Sequence, residues 1–595
     1  MRITRSILVG IVALVALAAM ACAGGDGDAA PAAPVQPAVA APTAAPQTKA
    51  PETMAPKVEP APAADEPKYG GIPNWGVRRD PPTAWDTMRS TSYDTRQMGM
   101  PIWGSGNLVR KCWDDARQIC PSVAESWKAD KDFTEWTFKI RDDILWHDGT
   151  PLTAEDVGFW LTLATQGAKV GDSTRAKAGY AGNFGQVTSI EVLDGNRVRM
   201  NLGRREPYLV DRMSAPVYMI QHPRHLMQER LQNGETKIAP IDIKWIGAGP
   251  FKMVSYTKGN GSELARFDQY WEKDEAGRKL PYLDGMKYFI LSNPSSFDAA
   301  FRVGKLDGGS PANSHVVSKE RQKAYINDMG DKVWFLKIKN PGAVSGAMGF
   351  NLLRDGPWRD VRVRQAIQLW IDREGAIEAV TGGFGVIGGI FNADSPFTAP
   401  DLLKWPGWDP ATKVQDRAEA KRLLAAAGVP DGGFTMNLPC NSRGTWIDRC
   451  QFLKAQLREM GIDLELTIMD QGAHTSAYRT LDWDAYQIGG SFSVEIPEAT
   501  EVVLGVYDKN AGGFTKHADA KLNGLFETLS GVTSLEERTR IWREIERYVL
   551  WDEVHVVPLA NPLFVIPYSA RVKGRLNPSV DVTNYFDMTT VWLDE

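Results

Sequence analysis

From Trp136 to Arg141 apolar and polar residues alternate one by one, the two-residue period of a strand with a single buried face. Asp148-Gly149 follows as a turn dipeptide, and Thr153 with Asp156 three residues on makes the capping box that opens a helix. The stretch therefore predicts strand, turn and capped helix. It also raises a question, because His147 beside Asp148 sets an imidazole next to a carboxylate. Two further alternating stretches turn back on themselves at glycines, residues 187–203 around Asp194-Gly195 and residues 249–271 around Lys258-Gly259-Asn260-Gly261. Helical periodicity governs other segments. Asp360 is placed to cap VRVRQAIQLWIDREGAIEAV, in which Val363, Ile367, Trp370, Ile371 and Ile377 keep one stripe. Asp416 and Glu419 form a second capping box, for a helix that stops at Gly428. WIDRCQFLKAQLREMG, ending at Gly461, predicts a helix that delivers the strand IDLELTIMD. LEERTRIWREIERYVLWDE is a long amphipathic helix ahead of the strand-like VHVVPLANPLFVIPY. Strands and helices alternate irregularly and without a short repeat, which makes the class mixed α/β.

The chain has a different character before residue 66. Arg2 and Arg5 precede an uncharged apolar run over residues 7–21, which suits an export signal and is shorter than the ~20 residues needed to span a bilayer. Ala19-Met20-Ala21-Cys22 resembles a bacterial lipobox, making Cys22 the candidate lipidated N-terminus of the mature protein; an ordinary signal cut nearby is the plainer alternative. Residues 23–65 are rich in Pro and Ala, cannot bury enough surface to fold, and predict an extended tether. With 595 residues the chain is too long for one core. A net charge of −5 argues against a sequence-independent grip on nucleic acid. The 20 tryptophans can fill cores or line a recognition cleft.

Apart from Cys22 the cysteines fall into two close pairs, Cys112 with Cys120 and Cys440 with Cys450. In an exported chain this predicts two local disulfides, since neither spacing suits zinc. Gly383, Gly385 and Gly388 spell G-x-G-x-x-G, but a helix precedes them and no helix follows; a loop between lobes is expected there rather than a dinucleotide site. His222 and His225 lack a third ligand, and no nucleophile elbow or H-E-x-x-H helix is present. No metal, no cofactor and no catalytic group is expected.

Four long motifs converge on one family. Residues 123–161, VAESWKADKDFTEWTFKIRDDILWHDGTPLTAEDVGFWL, closely resemble the signature region of the family-five extracytoplasmic solute-binding proteins, the oligopeptide-, dipeptide- and nickel-binding receptors of ATP-driven importers. GAGPFKMVSY with the later FDQYWE and LPYLDGMKYFIL, FNLLRDGPWRDVRVRQAIQLWIDREGAI, and DRAEAKRLLAAAGVPDGG are similar to further family segments, in the family's order. The resemblance implies a two-lobed periplasmic-binding-protein fold, type II-like, with the ligand between the lobes. Lobe one would span residues 66–307, with an extra domain over about 98–240; lobe two would span 308–544, and 545–595 would return to lobe one. It implies that the His147 segment is scaffold. It also implies a monomer that works with an ABC permease and ATPase, is lipid-anchored outside the cytoplasm, and captures a peptide or peptide-like solute. Peptide receptors of the family hold the ligand's amine with an Asp in a segment like GW-x-ADYPDP. Here Glu495 falls at that Asp and Phe492 where the family often has Trp, while Ile496-Pro497-Glu498-Ala499 replaces the rest. Trp75 and Trp103 are further aromatic candidates. Sugar oligomers, opine-like amines and metal chelates stay open as ligands, as do a non-transport sensor or chaperone and, least favoured, an exported hydrolase.

Overall fold

The strand Asn74–Val77 presents Trp75 and Val77 to one face and Gly76 to the other, and the largest sheet is built around it. The computed structural model describes residues 66–594 other than 82–84, 90–92, 105–106, 113–117, 171–172, 176, 179–180, 185–186, 215–217, 219, 221, 311–316, 340–346, 394, 443–444, 488–518 and 575–587. The strands of this sheet run in the order Phe251–Thr257, Gly261–Arg266, Gly285–Ile290, Asn74–Val77, Gly308–Gly309, Ala560–Ser569, Val333–Lys339. Asn74–Val77 is parallel to both neighbours, and the first two strands are the hairpin expected around Gly259. Trp75 stands in register with Tyr288 and Gly308, and Gly308 with Tyr568. Trp75, Tyr288 and Tyr568 therefore share a face, and they pack with Trp85, Trp103 and Trp245 in one core. The helices Pro294–Arg302 and Lys319–Met329 cover the opposite face with Phe297, Phe301 and Tyr325. A side chain at Gly76 would meet the Phe297 ring at 2.5 Å, so only glycine fits there.

A second core runs from Met88 to Ala248, slightly wider than the extra domain expected from sequence. Its sheet pairs Ala124–Ala129, Glu135–Ile140, Arg197–Leu202 and Val187–Leu193 in antiparallel order, and the helix Ala154–Thr165 packs on it. The capping box forms: the Thr153 amide donates to the Asp156 carboxylate at 3.0 Å. The other oxygen of Asp156 accepts from the Arg224 amide at 3.0 Å, so one buried acid serves two helix N-termini. His147 is buried; its Nε2 donates to the Gly249 carbonyl at 3.0 Å and its Nδ1 accepts from the Gly247 amide at 3.3 Å. Asp148 turns the other way, to His225 Nε2 at 2.8 Å. The imidazole and the carboxylate are thus committed to separate partners, and His147 fastens the Gly247–Gly249 segment to the extra domain.

In the second lobe Phe434–Asn441 and Ile462–Met469 pair in parallel, and Met348–Phe350 lies between Ala485–Gln487 and Val556–Val557. Three expectations are corrected here. The stretch after Asp360 is two helices, Val361–Trp370 and Arg373–Thr381, because Asp372 caps a new start by accepting from the Gly375 amide. Asp416 does not open its helix, which begins at Lys413; its carboxylate accepts from the Gly407 amide at 2.8 Å and the Thr412 hydroxyl at 3.0 Å. The glycine-rich segment is a loop only in part, since Gly385–Ile387 is a strand paired with Ala560–Ser569. Val333–Lys339 and Ala560–Ser569 pair within the sheet of Asn74–Val77. Ile545 lies in the core of the second lobe.

Both disulfides are present. Cys112–Cys120 closes the hairpin of Val109–Lys111 and Ile119–Pro121, and Cys440–Cys450 ties a strand to the helix Thr445–Arg458. Iodoacetamide is expected to label no cysteine of the denatured, unreduced protein beginning at Glu66, and reduction is expected to cost about 2–4 kcal/mol per bond. One labelled cysteine, read by mass spectrometry, would contradict this.

Candidate functional site

The chain passes between the lobes beside the strand Met348–Phe350. Val333–Lys339 in the first sheet is succeeded by Met348–Phe350, and Val556–Val557 by Ala560–Ser569. Met348 stands in register with Gln487 on one side and Val557 on the other, which puts Gln487 at the crossing edge. The Gln487 carboxamide donates to the Trp446 carbonyl at 2.9 Å. The Trp446 ring lies 6.2 Å from the His474 ring and 5.9 Å from the Arg449 Cζ. His474 stacks on Tyr486, whose hydroxyl oxygen lies 3.2 Å from its Nδ1, and burial lowers the imidazole pKa against a hydrogen bond to the Pro439 backbone.

Residues 488–518 run between two fixed points, Gln487 and Asp519. Asp519 caps the helix Ala520–Gly531, accepts from the Tyr548 hydroxyl at 3.0 Å and pairs with His555 Nε2 at 3.1 Å. Burial alone would raise its pKa; the hydrogen bonds from His555, Leu522 and Tyr548 outweigh that and hold it at about 2.

The extra domain also reaches the second lobe. The Tyr208 hydroxyl donates to the Val532 carbonyl, 324 residues away in sequence. The Arg538 guanidinium, carried by the helix Leu535–Arg547, lies 3.7 Å from the Tyr208 ring centroid and 5.4 Å from that of Phe397. Tyr208 directly precedes the helix Leu209–Met213, whose Leu209 belongs to the extra-domain core, whereas Phe397 belongs to the second lobe. Ring, cation and carbonyl together form a clamp between the extra domain and the second lobe.

Among the residues singled out from sequence, Trp75 and Trp103 come together in the first-lobe core, both buried, each with an indole N–H that has no hydrogen-bond partner among the described residues. Glu495, Phe492 and Cys22 lie outside the described residues. Tyr208, Arg538 and Arg449 were missed. Tyr208 and Arg538 carry no local signal, while Arg449 did: it is a charge set between Trp446 and Leu453 on an otherwise apolar helical stripe.

Two α/β lobes joined by crossings at one edge, with an added domain clamped across them, define the periplasmic-binding-protein class of receptor. Solved structures have the same fold: AgaA in complex with agropinic acid from A. tumefaciens R10 superposes with a TM-score of 0.69 at 20% identity, covering 88% of this chain and 99% of that one. DppA from Helicobacter pylori in complex with the peptide STSA gives 0.70 at 19%, covering 89% and 99%. Residues 118–510 match the bacterial extracellular solute-binding proteins, family 5 Middle, and the chain belongs to that family. It is similar to the periplasmic oligopeptide-binding protein OppA of Haemophilus influenzae, 22% identical over 483 residues, 78% of this chain and 84% of the relative. Membership makes the chain an extracytoplasmic solute receptor of the ABC-importer type, a binder and not an enzyme.

Proposed function

We propose that the protein captures a peptide or peptide-like solute between its lobes and hands it to an ABC permease and its ATPase. It does so as a monomer held at the outer face of the cytoplasmic membrane by lipid on Cys22, with residues 23–65 as the tether. The clamp of Tyr208 on Arg538 and Val532 carries this reading, because a contact between extra domain and second lobe favours a closed form in which a solute is enclosed. Glu495 is the partner for a cationic group of the solute, and Phe492 is its aromatic neighbour. The relatives named for oligopeptides and the peptide in the Helicobacter pylori protein support a peptide. The agropinic acid in AgaA, with the replacement of the peptide receptors' YPDP by Ile496-Pro497-Glu498-Ala499, favours an opine-like solute as the second reading.

A thermal-shift screen on protein beginning at Glu66 tests this with peptides of two to eight residues, amines, sugar oligomers and nickel chelates. At a hundredfold excess over Kd a ligand adds about 2.7 kcal/mol, a shift on the order of a few degrees for a chain of this size. Peptides are expected to give the shift and Glu495→Ala to reduce it. A response confined to other classes would overturn the choice of ligand.

A further inference from the structure

Arg538, Trp542 and Glu546 recur every four residues on the helix Leu535–Arg547 and so share one face, which lies on residues 390–399. Arg538 sits against the Phe397 ring, and the Trp542 ring meets Phe391 edge to face at 5.2 Å. Arg543 donates to the carbonyls of Pro396 at 3.0 Å and Thr398 at 3.2 Å. Glu546 ties both ends of the segment: one carboxyl oxygen accepts from the Ile390 amide at 3.2 Å, the other from the Ala399 amide at 2.7 Å. The glycine-rich stretch leaves room for this acid, since a Cβ at Gly389 would collide with the Glu546 carboxyl and with Leu550.

Glu546 is fully buried. The charge that faces it is Arg543 of its own helix, whose guanidinium is taken up by the Pro396 and Thr398 carbonyls. The segment turns backbone amides and the apolar residues Ile390, Phe391 and Ala399 towards it, and Leu550 lies beside it from the turn beyond the helix. Asp394, the acid of that segment, lies outside the described residues. A carboxyl so placed is more stable neutral than charged, and burial raises its pKa from 4.5 to about 7. Ionisation would leave an unpaired charge in the core, and it is relieved when residues 390–399 lift and admit water. Lifting takes Phe397 off Arg538, the cation that holds Tyr208 in the clamp.

We propose that Glu546 is a positioning residue for closure: its neutral carboxyl holds residues 390–399 under Arg538, its ionised form releases them, and solute affinity falls as pH rises. This rests on the receptor reading above and adds a means of regulating it. The clamped form keeps the proton up to about pH 7, whereas a form with water at the carboxyl gives it up near 4.5, so closure takes up a proton between those values. Affinity is full below pH 4.5, falls as pH rises to about 7, and levels off once both forms are ionised.

Isothermal titration at about pH 6 and pH 8, with the peptide that gives the largest thermal shift, compares wild type with Glu546→Gln. The loss of affinity between the two is expected to be about tenfold greater in wild type than in E546Q, which shares every other titrating group, the solute's included. Equal losses would overturn the proposal. Hydrogen exchange of ligand-free wild type needs no variant. Corrected for the intrinsic dependence of exchange on pH, the amides of residues 390–399 are expected to be less protected at the higher pH, and those of the strand Phe434–Asn441 unchanged. Equal protection of residues 390–399 at both would overturn it as well. If no peptide binds wild type, the peptide reading fails, while exchange still decides whether the segment follows the proton.

Discussion

Tyr208→Ala is expected to weaken solute binding roughly tenfold to fiftyfold while changing the ligand-free melting temperature little. The substitution removes two contacts at once, the ring under the Arg538 guanidinium and the hydroxyl on the Val532 carbonyl. Neither contact holds the extra-domain core, where Leu209 and its neighbours remain packed. What is lost is a preference for the closed form, and affinity falls by as much as that preference was worth. Tyr208→Phe keeps the ring and is expected to lose only the few-fold share of the hydroxyl. Isothermal titration with the solute found by thermal shift measures both. Equal affinities for wild type and Y208A would show that the clamp does not couple to binding.

The second large effect is a pair of opposing titrations hidden in the wild-type stability profile. Burial, helped by the charge of Lys252, lowers the His147 pKa from 6.5 to about 4 against the pull of the Gly249 carbonyl. The unfolded chain therefore takes up a proton that the folded one refuses, and stability from this site is full above pH 6.5 and lost as pH falls towards 4. Glu546 acts in the other sense. It is buried on the helix Leu535–Arg547, and burial raises its pKa from 4.5 to about 7 although the amides of Ala399 and Ile390 and the charge of Arg543 oppose the rise. Its contribution is full below pH 4.5 and lost as pH rises through 7. Each effect is on the order of 3 kcal/mol, and over the shared window they cancel. Glu546→Gln is expected to expose the His147 term, so that urea stability drops by on the order of 3 kcal/mol from pH 6.5 to 4.5. His147→Gln is expected to give the reverse slope over the same interval. A Glu546→Gln profile as flat as that of wild type would rule out the protonated carboxyl.

Much of this architecture was legible in the chain because it rests on neighbours. The strand, turn and capped helix around His147 are set by alternation, a glycine and a Thr–Asp box, all within a few residues. The disulfides join cysteines eight and ten positions apart. The family motifs carried the two-lobed plan. The misreadings share a different cause, since each hung on a partner distant in sequence or on a competing cap. Asp416 looks like a helix cap until the Gly407 amide is placed beside it. The stripe through Ile371 and Ile377 hides the break that Asp372 makes by capping a new helix. The clamp was invisible for the strongest version of that reason, because nothing near Tyr208 signals a carbonyl 324 residues later.

The central claim is that a solute is enclosed by closure of two lobes. Small-angle X-ray scattering of protein beginning at Glu66, with and without the pool giving the largest thermal shift, tests it directly. The account predicts a smaller radius of gyration on binding in wild type. Binding with no change in the radius would mean that the solute sits on an outer surface, and would contradict the account.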